Sequence, residues 1–244
     1  MPEQAGAEIS NSIELFPALC DLIPFCLFTE FEYYIDGLKR NYFITCITIE
    51  SDMPSPDLNK KYTYKDYLTW DDGKRWEIIE GKLYPLEFGD DPQNMSPAPK
   101  RKHQKISGNL ARAIGNYLLG KSCEVYKAPF DVRFVEEDLS ETVLQPDISV
   151  FCDQSKLDDR GAKGAPDWII EILSPSTDFR DKSIKAFLYQ KHMVKEYWLV
   201  DPDKQLVVAY KLKDGRFDVP NEYTEGKVPT FFDQLTISFD DIFS

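Results

Sequence analysis

Between Pro99 and Leu119 the apolar residues Ile106, Leu110, Ile114 and Leu118 recur four positions apart, with mostly polar and basic residues between them. That spacing lines one face of an α-helix, and Gly120 supplies the residue that most readily ends one. A second helix is predicted over about Phe179 to Met193, with Ile184, Phe187 and Leu188 as its apolar stripe. Thr63-Tyr-Lys-Asp66 has the form of a capping box and predicts a short helix running to Trp70. Trp76 to Tyr84 alternates around Glu80-Gly81, the pattern of a hairpin. Strand chemistry, rich in β-branched and aromatic residues, recurs at Cys123–Lys127, Asp131–Val135, Ile148–Cys152, Trp168–Leu173, Glu196–Val200 and Gln205–Leu212. Helix, strands, helix, strand is the order of an α/β (α+β) domain, a mixed β-sheet flanked by helices. Tyr197 and Trp198 are expected in its core.

The first 52 residues follow another pattern. They carry nine Asp and Glu against two Lys and Arg, and three of the five cysteines. Tyr42 to Ile49 has strand chemistry, and the two prolines of Ser51 to Asp57 mark a linker. The expected division is an N-terminal extension over 1–52 and a domain over 53–244, with Met53 as an alternative start.

Composition narrows the function classes. The chain has 244 residues, 42% of them hydrophobic, and a formal net charge of −13. It can bury a large core, and its acidity argues against indiscriminate binding to nucleic acid or anionic membranes. The acidity is uneven, however: residues 97–130 hold seven Lys and Arg against one Glu. No Cys-x-x-Cys pair occurs and His103 and His192 stand far apart, so no zinc cage is expected. The polar opening and the odd number of cysteines suit a reduced, cytoplasmic protein. Ala18 to Phe28 is interrupted by Asp21 and Pro24, and no apolar run approaches the roughly 18 residues that span a bilayer.

Chemistry concentrates in two segments, Gln145-Pro-Asp147-Ile-Ser-Val-Phe151 and Asp167-Trp-Ile-Ile-Glu171-Ile-Leu-Ser-Pro175. Glu171 sits between Ile170 and Ile172 in a run that otherwise reads as fully buried, where a bare carboxylate is costly. Two partners would relieve it: a divalent cation shared with Asp147, or a buried lysine or arginine.

Pro146-Asp147, Glu171-Ile-Leu-Ser-Pro-Ser-Thr177, Asp181 with Lys185 and Tyr189, and Glu196-Tyr-Trp-Leu-Val-Asp-Pro202 together resemble the Uma family of restriction-endonuclease-like proteins, within the PD-(D/E)XK nuclease superfamily. The resemblance runs from about Tyr62 to the C-terminus and includes Trp76-Glu-Ile-Ile-Glu-Gly81 and the stretch from Ser96-Pro97 to His103. It implies a restriction-endonuclease-like fold and hydrolysis of phosphodiester bonds in nucleic acid, DNA above all, with Mg²⁺ or Mn²⁺. The superfamily's usual lysine, two residues after the second carboxylate, is replaced here by Leu173. The resemblance supplies it instead from the following helix as Lys185, with Lys182 the rival one turn earlier. Asp147 and Glu171 are then the metal-binding catalytic carboxylates, with the Ile172 carbonyl as a further ligand, and Lys185 the catalytic lysine.

Auxiliary roles are expected of Glu77, which would hold a second metal or orient Lys185, and of Gln145, His103 and Asp181. Lys100, Arg101, Lys102 and Lys182 are candidates for substrate binding. Bland alternatives stand beside these: Glu77 as an exposed hairpin carboxylate, and Asp181 with Lys185 as a solvated i,i+4 ion pair. Two competing functions are a nuclease-like domain that binds nucleic acid or a protein partner without cutting, and an enzyme acting on a small phosphoester. A homodimer would suit cleavage of both strands.

Overall fold

The computed structural model describes residues 31–35, 38–42, 56–70, 74–86, 100–135, 141–174 and 180–244. The chain divides into two compact units, Met1–Pro54 and Ser55–Ser244. In the first, β1 (Phe31–Ile35) and β2 (Leu38–Tyr42) form an antiparallel hairpin. Beyond Tyr42, the strand expected to reach Ile49 lies outside the described residues, as do Met53, most of the linker and Ser96-Pro97.

The second unit opens with α1 (Tyr64–Tyr67), held by the capping box: Thr63 and Asp66 exchange side-chain to backbone hydrogen bonds. The helix stops short of Trp70, whose N–H closes a turn onto Tyr67. β3 (Trp76–Ile79) and β4 (Lys82–Pro85) form the expected hairpin, and Glu80 and Gly81 both take positive φ at its tip, as a two-residue turn matched to strand twist requires. α2 (Arg101–Leu118) buries the four apolar residues of its predicted face.

Then follow β5 (Glu124–Lys127), β6 (Val132–Val135), β7 (Glu141–Leu144), β8 (Ile148–Phe151), β9 (Leu157–Asp158), β10 (Gly161–Lys163) and β11 (Trp168–Ile172). A π-helical turn, Arg180–Lys185, runs into α3 (Ala186–Lys191). β12 (Glu196–Asp201), β13 (Leu206–Lys213), β14 (Arg216–Phe217), β15 (Asn221–Tyr223), β16 (Lys227–Pro229), β17 (Thr236–Ser238) and α4 (Phe239–Phe243) complete the chain.

Among the described residues the strands form two main sheets. One has the order β14-β13-β12-β11-β8-β5, with β15 also on β13; the other runs β4-β3-β7-β6-β10-β9. β11 and β12 are parallel, whereas β8 and β13 lie antiparallel outside them. This is the mixed sheet expected, flanked by helices. α2 covers one face, over Ile148, Val150, Trp168, Ile170, Ile172 and Trp198. The opposite face, with Ile169, Leu173 and Tyr197, packs on α3 and on Val132, Phe134 and Leu144 of the second sheet. Tyr197 and Trp198 are both buried, one on each face.

Three expectations need correction. The second helix does not bury Ile184, Phe187 and Leu188 as a stripe: Phe187 is 61% exposed, and the buried line is Asp181, Lys185, Leu188 and Tyr189. Across the wider π turn Asp181 and Lys185 face inward beside Leu188, while Phe187 turns to solvent. The cysteines are not all reduced, since Cys123 and Cys152 form a disulfide. Their strands bring them together, because Glu124 pairs with Phe151 and the next pair outward is the two cysteines. Finally, β7, β9 and β10 arise from segments without a strong strand pattern. Among the described residues no helix is long and apolar enough to cross a membrane.

Candidate active site

Strand alternation decides where Glu171 points. Its neighbours Ile170 and Ile172 pack under α2, so Glu171 leaves the sheet on the other face with Ile169 and Leu173, toward α3 and the second sheet. Asp147 stands immediately before β8, the antiparallel neighbour of β11. The two carboxylates meet through the backbone: Asp147 N–H donates to Glu171 Oε2 at 3.3 Å, and Ile172 N–H donates to Asp147 Oδ2 at 2.7 Å. His103, from the first turn of α2, places Nε2 3.1 Å from the same Asp147 oxygen, and its buried Nδ1 has no hydrogen-bond partner.

Lys185 enters from the π turn. Its ammonium, on a side chain only 3% exposed, lies 2.9 Å from Glu77 Oε1, 3.0 Å from Glu171 Oε1 and 3.3 Å from Asp181 Oδ1. Tyr189, one turn on, donates its hydroxyl to Glu171 Oε1 at 2.8 Å. Glu77 comes from β3 in the other sheet and is fully buried, so the reading of an exposed hairpin carboxylate is overturned. It also accepts from Arg180 at 3.4 Å and from the Gln145 backbone N–H at 3.2 Å. The solvated Asp181–Lys185 pair is overturned likewise, because both residues are buried.

The electrostatics follow from this crowding. Burial, with help from the Asp181, Asp147 and Glu77 charges, pushes the Glu171 carboxyl up to about 8 against the pull of Lys185. Burial alone would lower the Lys185 ammonium, yet Glu171, Glu77 and Asp181 outweigh it and hold it well above the usual lysine range. Burial likewise raises the Tyr189 phenol, reinforced by Glu171, so it remains a hydrogen-bond donor.

Asp147, Glu171, Lys185, Asp181, His103 and Gln145 all line one cavity of about 150 Å³. Ile172 also lines it. Lys100, Arg101, Lys102 and Lys182 do not; they are exposed, and Lys102 pairs with Asp203 at 3.1 Å. Sequence reasoning did not anticipate Arg75, which lines the cavity and donates from Nε to Gln145 Oε1 at 3.0 Å. Nor did it find Arg180, or Asp131, which accepts from Gln145 Nε2 at 2.8 Å and from the Tyr64 hydroxyl at 2.9 Å. Tyr189 had been noted only as part of a motif.

Among the described residues, no group of three or more His, Cys, Asp and Glu is gathered closely enough to hold a metal by itself. The fit to a divalent cation rests on charge and donor chemistry. Glu77, Glu171 and Asp181 contact Lys185, Arg180 contacts Glu77, and Asp147 joins Glu171 through its backbone N–H. Asp147 and Glu171 both line the cavity, and their hard oxygen donors suit Mg²⁺ or Mn²⁺.

The sequence matches the Uma2 family, described as putative restriction endonuclease, over residues 64–239. The chain belongs to that family. The Uma2 match begins at α1 and ends where α4 starts, so it takes in both sheets and every residue of the cluster around Lys185. A protein of Synechocystis sp. described as uncharacterized is 27% identical over 165 residues, which cover 66% of this chain and 80% of the relative. A crystal structure of a putative nuclease belonging to DUF820, from Anabaena variabilis, is similar with a TM-score of 0.57 and 25% identity, over 75% of this chain and 97% of that one. This Uma2 chain therefore has a nuclease-like α+β fold.

Proposed function

We propose that residues 53–244 of this chain form a metal-dependent endonuclease that hydrolyses phosphodiester bonds of nucleic acid, with DNA as substrate. The observation that carries this reading is the contact between Asp147 and Glu171 at the mouth of a cavity, with a buried lysine from the next helix on Glu171. Membership of the Uma2 family and the likeness to a nuclease support it.

Asp147 and Glu171 would hold the Mg²⁺ or Mn²⁺, which when bound acidifies a water and polarises the phosphate. Ile172 N–H fixes one Asp147 oxygen, and His103 steadies the same atom. Lys185 and Tyr189 both take Glu171 Oε1, which leaves Oε2 as the oxygen nearer Asp147. In the reaction Lys185 orients the attacking water and offsets negative charge growing on the phosphoryl oxygens. Rather than touching substrate, Glu77 and Asp181 hold Lys185 in place, and Arg180 in turn holds Glu77. Two copies related by a two-fold axis would allow both strands to be cut.

The test is cleavage of plasmid and single-stranded DNA and of RNA with Mg²⁺, Mn²⁺ or EDTA, by the wild type and by Asp147→Asn, Glu171→Gln and Lys185→Ala. Loss in EDTA and in all three variants is expected. Metal-dependent cutting that survives all three substitutions would sink the site assignment, and DNA binding without cutting under any metal would make the chain a binding module.

A further inference from the structure

Phosphate oxygens are contacted above all by Arg and Lys, and a cation that no carboxylate already neutralises has its charge available for such a contact. Most cations near this site fail that condition. Lys185 is enclosed by three carboxylates, Arg180 is paired with Glu77 and Lys102 with Asp203. Two cavity-lining cations meet it. Arg75 leads into β3, and its guanidinium hydrogen-bonds only the neutral side-chain oxygen of Gln145 among the described residues. Lys127 ends β5 opposite Ile148, one residue from Asp147, and is exposed and ion-paired with no carboxylate among the described residues.

Both positions are built into the catalytic scaffold. Gln145 is buried and held three ways: its backbone N–H donates to Glu77, and its amide donates to Asp131 and to the Tyr67 hydroxyl at 3.1 Å. Its remaining oxygen is therefore fixed, and Arg75 docks on it through Nε and a terminal nitrogen. Lys127 is followed by Ala128, whose N–H donates to the Asp147 carbonyl at 3.1 Å, so this end of β5 is fastened to the carboxylate's own backbone.

We propose that Arg75 and Lys127, one from each sheet, are the phosphate-contacting residues of this site and grip the backbone of duplex DNA beside the Asp147–Glu171 pair. This rests on the reading of the cavity as a nuclease site. It moves substrate contact from the Lys100–Lys102 cluster at the start of α2 to two cations that line the cavity. A guanidinium on a fixed amide presents its free edge to a phosphate in one orientation, whereas the lysine acts as a mobile point charge.

The test is fluorescence anisotropy of a labelled short DNA duplex with Mg²⁺, in a Glu171→Gln background that holds cleavage off, across a series of salt concentrations. Each phosphate contact contributes close to one to the slope of log affinity against log salt. Arg75→Ala and Lys127→Ala are each expected to lower that slope by about one and affinity by about tenfold or more. Arg75→Lys should keep much of the slope yet lose affinity, and Lys213→Ala, an exposed charge away from the cavity, should change neither. Lys127 makes no side-chain hydrogen bond or ion pair among the described residues, so the Lys127→Ala result stands even if Arg75→Ala folds poorly. Duplex binding with unchanged slope and affinity in Lys127→Ala and unchanged affinity in Arg75→Lys, together with a reduced slope in a Lys100→Ala, Arg101→Ala pair, overturns the proposal and leaves the nuclease reading intact. A parent chain that neither binds nor, with Glu171 restored, cuts nucleic acid overturns both.

Discussion

The ammonium of Lys185 lies 3.0 Å from Glu171 Oε1, and the same ammonium is 2.9 Å from Glu77, so one lysine joins the strand of one sheet to the hairpin of the other. Removing a partner from a buried ion cluster leaves the remaining charges without compensation. Lys185→Met is therefore expected to lower the unfolding free energy by about 3–5 kcal/mol in metal-free buffer. Lys182→Ala, on the exposed side of the turn, should stay within about 0.5 kcal/mol of wild type. Urea denaturation followed by tryptophan fluorescence separates the two.

Metal binding and proton release should be coupled at Glu171. With its carboxyl raised to about 8, the metal-free site is largely protonated at pH 6, and a cation has to displace that proton. Apparent Mg²⁺ affinity should thus rise between pH 6 and about 8 and level off above, and calorimetry in buffers of different ionisation enthalpy should register proton release at pH 7. In EDTA the sign for stability is opposite. The folded carboxyl holds its proton at pH values where the unfolded one has lost it, so stability falls as pH rises from about 4.5 toward 8. Saturating Mg²⁺ should cancel that fall and raise the melting temperature.

Tyr189→Phe deletes one hydrogen bond to Glu171 and little else, because the ring stays packed against Tyr197 and Phe134. A cost of about 1 kcal/mol to folding is expected. A larger effect on turnover than on substrate KM would mark the hydroxyl as a positioning group for Glu171; equal effects on both would leave it a structural bond.

A second buried carboxylate offers a control away from the cavity. Burial pushes Glu196 up to about 7, partly offset by Lys211 and by the Trp198 indole N–H. Its charged form is a cost that is absent below about pH 4.5 and complete above about 7. Glu196→Gln keeps the acceptor for Trp198 and should stabilise the protein above pH 7 by up to about 3 kcal/mol, with the gain vanishing near pH 4.5. A stability difference that does not change with pH would show that the substitution acts through packing instead.

The parts of the fold that sequence revealed are those where a local pattern had one interpretation. The four-residue spacing of Ile106 to Leu118, the Thr63–Asp66 box and the Glu80-Gly81 tip each state their structure within a few residues. Alternation also placed Leu173 beside Glu171 on one face, while the expectation of a lysine from the following helix came from the family resemblance alone. What was not legible depended on distant partners. Glu77 could be read either as a partner that orients Lys185 or as an exposed hairpin residue, because nothing near it in sequence reveals that Lys185 and Arg180 will cover it. The π turn over Arg180–Lys185 leaves no periodic signature, so an ordinary helical count aimed Phe187 inward and put Asp181 and Lys185 only at the edge of the buried face. β7 and the β9–β10 hairpin are short and owe their existence to pairing with neighbours.

The charge cluster draws on widely separated stretches of chain: Glu77 and Arg180 are 103 positions apart. Glu77, Asp147 and Glu171 are all synthesised before the turn that carries Lys185, and β12, the parallel partner of β11, comes later still. A chain ending before that turn holds these carboxylates with no Lys185 ammonium to gather them, so the link between the two sheets closes only once the turn has been made.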